Sequence, residues 1–141
     1  MIMIINGEGL VVGRVATIAA KSALMGEKVD IVNCEKMVLT GSREFLISEW
    51  LRKRRQGTPR KGPYISRLAD RFVRRIIRGM LPHRKARGKA AYNNIMCHLG
   101  VPDQFKDQKL EVIEGAKVSK MNHLNYLTVG ELLSLLGGKN E

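Results

Sequence analysis

The stretch MIMIINGEGLVVGRVATIAAKSALMGEKVDIVN, residues 1–33, decides the fold. Met1-Ile2-Met3-Ile4-Ile5 is apolar and β-branched, which reads as a first strand. Asn6-Gly7-Glu8-Gly9 then turns the chain. Beyond it, Val12, Val15, Ala16, Ala19 and Ala23 recur at the three- and four-residue spacing of a helix, and Gly26 supplies a C-terminal stop. Val29-Asp30-Ile31-Val32-Asn33 is a second short strand. Strand, helix and strand within about 30 residues make a βαβ unit, which favours a parallel sheet covered by helices.

Working outward, Met37-Val38-Leu39 is a third strand, ended by Thr40-Gly41-Ser42. A helix should run from Ser42 to about Arg55 and carry Phe45, Leu46, Trp50 and Leu51. Gln56-Gly57-Thr58-Pro59-Arg60-Lys61-Gly62-Pro63, with two prolines and two glycines, should be an exposed loop. A strong helical pattern spans about Ile65 to Leu81 and is closed by Pro82. Another helix should span about Ala86 to Leu99, with Gly100 as its cap and Pro102 beyond. Leu110-Glu111-Val112-Ile113 is a candidate fourth strand. Thr128-Val129-Gly130-Glu131 has the form of a capping box opening a last helix, which should end at Gly137-Gly138. The 141 residues suffice for one domain with a real core and are too few for two, so 1–141 reads as a single domain.

Charge is distributed unevenly along this frame. The 38 residues from Arg52 to Lys89 hold fifteen basic side chains and one acid, Asp70, a net charge of +14. The other 103 residues hold ten basic and twelve acidic side chains, a net charge of −2. Eleven of the fifteen are arginines: Arg52, Arg54, Arg55, Arg60, Arg67, Arg71, Arg74, Arg75, Arg78, Arg84 and Arg87. The four lysines are Lys53, Lys61, Lys85 and Lys89. Such a concentration calls for a dense polyanion, of which nucleic acid is the usual one. The preference for arginine agrees, because its planar fork grips two phosphate oxygens and can stack on a base, whereas lysine offers a point charge.

Spacing divides this segment. Ile65, Leu68, Ala69, Phe72, Val73, Ile76, Ile77 and Met80 fall on one helix face. Arg67, Arg71, Arg74, Arg75 and Arg78 fall on another, a ladder of like charges with hardly an acid among them. Soluble surfaces usually intersperse both signs, so this face is a candidate nucleic-acid interface. Arg60-Lys61-Gly62-Pro63 and the basic run His83 to Lys89 flank it. These irregular basic stretches suit folded RNA better than a regular duplex. Tyr64 and Tyr92 could stack on bases, although core packing is the commoner role for a tyrosine ring.

Signals of chemistry are weak. Gly7-Glu8-Gly9-Leu10-Val11-Val12-Gly13 has the spacing G-x-G-x-x-x-G rather than that of a dinucleotide fingerprint, and a tight strand-to-helix turn explains its glycines. Gly88-Lys89 is followed by Ala90 and preceded by His83 where a phosphate loop requires Gly. His83, His98 and His123 are scattered, and Cys97-His98 lacks a zinc-ligand spacing. No catalytic residue, metal ligand or cofactor is indicated. Cys34 and Cys97 are most simply buried thiols in a reducing cytosol. No run approaches the roughly 18 apolar residues of a membrane span, and the short apolar start reads as a strand rather than a signal peptide.

Several of these segments together resemble the large-subunit ribosomal protein thirteen family, in its archaeal form. Arg78-Gly79-Met80-Leu81-Pro82 with the basic run through Gly88 is similar to the family signature. Gly9-Leu10-Val11-Val12-Gly13-Arg14-Val15-Ala16 resembles its first loop and helix. Val32-Asn33-Cys34-Glu35-Lys36 with Leu39-Thr40-Gly41 resembles its second strand and following turn, and Arg60-Lys61-Gly62-Pro63-Tyr64 resembles a feature of the archaeal and eukaryotic branch. The resemblance covers about residues 4 to 115. It implies a three-layer α/β/α domain with a four-stranded, mainly parallel sheet. It also implies a non-enzymatic component of the large ribosomal subunit that binds large-subunit ribosomal RNA early in assembly. Such a protein would lie in the cytoplasm, in the ribosome, beside neighbouring large-subunit proteins and with no small-molecule substrate. In this reading Arg78, Arg84, Lys85 and Arg87 contact RNA backbone, while Met80 and Leu81 anchor the helix end. A free-standing RNA chaperone or translational regulator, and a nucleotide-binding α/β enzyme, are the competing readings.

Overall fold

The computed structural model describes residues 2–122 and 125–137. In chain order its strands and α-helices are β1 (Ile2–Asn6), α1 (Val12–Leu24), β2 (Lys28–Val32), β3 (Val38–Thr40), α2 (Arg43–Arg55), α3 (Ala69–Arg78), α4 (Ala86–Asn93), β4 (Ile95–Cys97), β5 (Tyr126–Thr128) and α5 (Val129–Leu135). The fold is mixed α/β with a mainly parallel principal sheet. His123 and Gly138 lie outside the described residues.

The opening βαβ unit forms as its spacing requires. β1 and β2 pair in parallel from Ile2↔Lys28 to Asn6↔Val32. The helix between them buries Val12, Val15, Ala16, Ala19 and Ala23, and Gly26 takes a φ of +92° just past its end. That left-handed geometry is open to glycine without the steric cost a Cβ brings. The helix packs on β2 and also against α3 and α4. Ile5, Val29, Ile31 and Ile95 are fully buried around it, and each such side chain contributes about 1.5–3 kcal/mol by leaving water.

The third strand of this sheet is β4, paired in parallel with β2 from Val29↔Ile95 to Ile31↔Cys97, so the order is β1-β2-β4. The spacing instead predicts helix through this segment to Leu99. The helix stops at Asn93, with Asn94 as its cap. Ile95 and Cys97 then turn inward while Met96 faces out, a period of two. Completing the sheet's hydrogen bonds and burying Ile95 outweighs six more residues of helix. Leu110–Ile113, read as a strand, makes one parallel bridge, Ile5↔Glu111, on the far side of β1. A second sheet pairs β3 antiparallel with β5, from Val38↔Thr128 to Thr40↔Tyr126. The latter strand has no clear sequence signal, being three residues long. The capping residue of α5 is where the sequence places it: the Thr128 hydroxyl accepts the Glu131 backbone N–H at 3.2 Å.

Both cysteines are free and buried. A hydrogen bond to Cys34, reinforced by burial, holds the Cys97 thiol well above the usual thiol range. Since both thiols are buried out of reach of reagent and the thiolate is the reactive form of Cys97, iodoacetamide at pH 8 should label neither cysteine in the native protein. Both should react after unfolding in denaturant, as mass spectrometry of the two samples would show.

Candidate nucleic-acid interface

The last turn of α2 carries Arg52, Lys53, Arg54 and Arg55. Cations at a helix C-terminus are favourable, because the unpaired carbonyls there present partial negative charge. Three of the four also have a partner. Arg52 pairs with Glu49 one turn earlier at 2.6 Å. The Lys53 ammonium lies 4.3 Å from the Trp50 ring centre, and Arg54 donates to the Leu136 carbonyl beyond α5.

The following loop, 56–63, closes on itself. The amides of Lys61 and Gly62 both donate to the Thr58 carbonyl, at 3.2 and 2.7 Å. A Cβ at Gly62 would lie 2.4 Å from the Gln56 carbonyl oxygen, so only glycine permits this closure. The Tyr64 hydroxyl donates to the Arg60 carbonyl at 2.5 Å. Its ring is not in the core: Tyr64 is 65% exposed. The loop therefore displays Arg60 and Lys61 at its tip.

The third helix is shorter than the Ile65–Leu81 pattern. The Ser66 hydroxyl accepts the Leu68 amide and holds the preceding residues in a local turn. The helix starts at Ala69 and gives way at Gly79 to a run of turns. Ala69, Phe72, Val73 and Ile77 are buried as expected, whereas Leu68 and Met80 lie outside the helix and are exposed. Arg71 is exposed and Arg78 half-buried, and neither has a side-chain partner among the described residues. Arg75 donates to the Tyr64 carbonyl, tying helix to loop.

Arg74 is placed differently from the rest of the ladder. It is half-buried, donating from Nε to the Ile95 carbonyl at 2.9 Å and from Nη2 to the Tyr92 carbonyl at 3.1 Å. Its guanidinium lies 3.9 Å from the Tyr92 ring centre. It thus clamps α3 to the α4–β4 junction. Hydrogen bonds from a charged group contribute about 1.5–3 kcal/mol, so Arg74→Gln should destabilise by about 2–3 kcal/mol. Arg71→Gln should stay within about 0.5 kcal/mol of the parent. Urea unfolding of the two variants distinguishes these roles.

Beyond Gly79 the chain makes tight turns to Lys85. Leu81 is buried and anchors them. Met80 stays exposed, although its sulfur accepts the Thr17 hydroxyl at 3.8 Å. A Cβ at Gly88 would lie 1.9 Å from the Pro82 carbonyl oxygen, so the turn rests directly on the backbone of α4. Arg84, Lys85, Arg87 and Lys89 all project into solvent from this compact support. In all, Arg55, Arg60, Lys61, Arg67, Arg71, Arg78, Arg84, Lys85, Arg87 and Lys89 make no side-chain hydrogen bond or ion pair among the described residues. One basic loop enters α3 and the other leaves it, with a helix of about 15 Å between them.

A family model described as ribosomal protein L13 matches residues 1–104. The chain belongs to the ribosomal protein L13 family. Named relatives extend the match into the C-terminal tail. The large ribosomal subunit protein uL13 of Methanococcus maripaludis is 40% identical over 141 aligned residues, covering 97% of this chain and 98% of its own. The protein of the same name from Methanococcoides burtonii is 38% identical, covering 96% and 98%. That from Methanosphaera stadtmanae is 37% identical, covering 99% of each.

Ribosomal protein L13 is a structural family, and the glycine-rich first turn conforms to that. A Cβ at Gly7 would meet the Met37 side chain at 2.7 Å, and Gly9 takes a φ of +70°. The turn is covered, too: Val11 donates to the Ala116 carbonyl, Val118 donates to the Gly9 carbonyl, and Arg14 donates to the Gly115 carbonyl. These contacts tie the turn and the start of α1 to residues 115–118. Asp30, in β2, is engaged by the His98 ring at 3.0 Å. His98 in turn packs on Phe105.

Proposed function

We propose that this protein is a structural, non-enzymatic component of the large ribosomal subunit, held on large-subunit ribosomal RNA by the basic segment 52–89 and contributing to subunit assembly. The observation that carries this reading is the set of ten unpartnered cations displayed around α3 in a chain of the ribosomal protein L13 family. Of the fifteen basic residues, these ten are the phosphate contacts. Arg52, Lys53, Arg54, Arg74 and Arg75 shape the surface that presents them. Arg84 and Lys85 sit on the turn behind the Arg78–Pro82 signature and Arg87 in the first turn of α4, and together they form the densest part of that surface.

In this reading the protein acts as one domain over residues 1–141, in the cytoplasm and within the ribosome, beside neighbouring large-subunit proteins. Leu110–Ile113 completes a four-stranded sheet in a three-layer arrangement, which the parallel bridge between Ile5 and Glu111 supports. No described helix is long and apolar enough to cross a membrane.

Sucrose-gradient sedimentation of large subunits tests the assignment. The protein should remain on the subunit through a high-salt wash, and complete release at moderate salt would count against it. Binding to isolated ribosomal RNA gives a second measure. If about eight of the ten cations displace counterions, log K should fall against log salt with a slope of roughly −6 to −7. A slope near −1 would sink the phosphate claim.

A further inference from the structure

Two hollows meet along the loop 56–63, sharing Gln56, Pro63 and Ile65 in their walls. The first is a cleft of about 370 Å³ between α2 and α3, walled by Trp50, Pro63, Phe72 and Ile76, with Lys53 and Arg75 among its lining residues. The second, of about 530 Å³, is cationic, with Arg54, Arg55 and Arg67 around Tyr64. Trp50 is half-buried; its ring meets Phe72 at 4.6 Å between centres and a tilt of 54°. The Lys53 ammonium lies over the Trp50 ring, on a flexible stem that can swing aside. An aromatic wall open to solvent, ringed by cations, is complementary to a flat π-system carrying negative charge.

We propose that the paired hollows form a site for one unpaired nucleotide of the bound RNA. The base enters the cleft and stacks against Trp50, and Lys53 swings aside from the ring. Arg55 and Arg67, which have no side-chain partner among the described residues, take the phosphate in the neighbouring hollow. Arg54 is already held by the Leu136 carbonyl and contributes charge to the wall. The loop keeps both hollows open, because the close approach of Gly62 to Gln56 and Thr58 fixes where Pro63 stands. Stacking of single bases on aromatic side chains, with cations along the backbone, is the general means of holding unpaired strands. This proposal rests on the RNA-binding reading above and adds to it a contact to a base, beyond the phosphate contacts.

Trp50 is the chain's single tryptophan, so its fluorescence reports on this cleft alone. The intact protein is titrated with single-stranded oligoadenylate and, separately, with inorganic polyphosphate of equal charge, and binding is measured in parallel by calorimetry. Both should bind, and only oligoadenylate should quench Trp50. Oligoadenylate binding without quenching would overturn the proposal, leaving the cleft to a peptide of a neighbouring protein. Equal quenching by polyphosphate would overturn it as well. Failure of both to bind would overturn the RNA reading itself and this site with it. On ribosomal RNA, Trp50→Ala should weaken affinity about tenfold at an unchanged salt slope, while Trp50→Phe should restore most of it. Parent affinity in a folded Trp50→Ala protein would also overturn the site.

Discussion

Replacing Arg71, Arg78, Arg84 and Arg87 together by Gln should make the salt dependence of ribosomal RNA binding shallower by about 3 to 4 in slope. Each phosphate contact releases a counterion and contributes about 0.7 to 0.9 to that slope. The electrostatic gain vanishes near 1 M salt, so four such contacts at 0.1 M are worth roughly a thousandfold in affinity. These four were chosen because none has a side-chain partner among the described residues. Their replacement breaks no internal bond and removes like-charge repulsion along α3. Thermal stability should therefore be unchanged or slightly raised while binding collapses. Filter binding at four or more salt concentrations measures the slope. A variant that keeps the parent slope would show that these arginines do not face RNA.

The variant differs from the one that helical spacing alone suggests, which groups Arg71, Arg74 and Arg78 on a single face. All three do fall at neighbouring positions of α3. What spacing does not contain is the place of α4 and β4, whose carbonyls at Tyr92 and Ile95 draw Arg74 inward. An arginine read from sequence is a charge, but in the fold it is also five N–H donors, and exposed carbonyls at a helix C-terminus compete for them. Arg54 shows the same competition at the end of α5.

Legibility followed how local the governing interactions are. The opening βαβ unit could be read because its helix is periodic, its strands are β-branched, and Gly26 marks a stop that only local backbone geometry demands. The helix ending at Arg55 is local in the same sense, whereas the end of α3 at Arg78 fell short of the Leu81 that the pattern predicts. β4 and β5 were not legible as strands, since three-residue strands exist only by virtue of the partner that completes their hydrogen bonds. Trp50 and Tyr64 escaped for a related reason. Their types and spacing suit a core, and only the closure of the 56–63 loop leaves one at a cleft and the other in solvent. The basic cluster itself was plain from composition, whereas its division into outward and inward cations required the fold.

The opposite face of α3 should give the opposite phenotype. Phe72→Ala removes a ring that is 3% exposed, touches Trp50 on α2 and belongs to the main core with Val73 and Ile77. A buried Phe→Ala change leaves a cavity as well as losing transfer energy, and costs about 3–5 kcal/mol. In a chain of this length that should lower Tm by roughly 10–20 °C. Ile76→Ala, at a half-buried position facing the cleft, should cost less, about 1–2 kcal/mol. Urea titration should show the midpoint falling in this order with unchanged m, because the surface exposed on unfolding hardly alters. At salt and temperature where Phe72→Ala remains folded, its salt slope should match the parent, since no phosphate contact has been removed. Loss of slope in a folded Phe72→Ala protein would mean that the core sets the positions of the cations, and that the two faces of α3 are not separable.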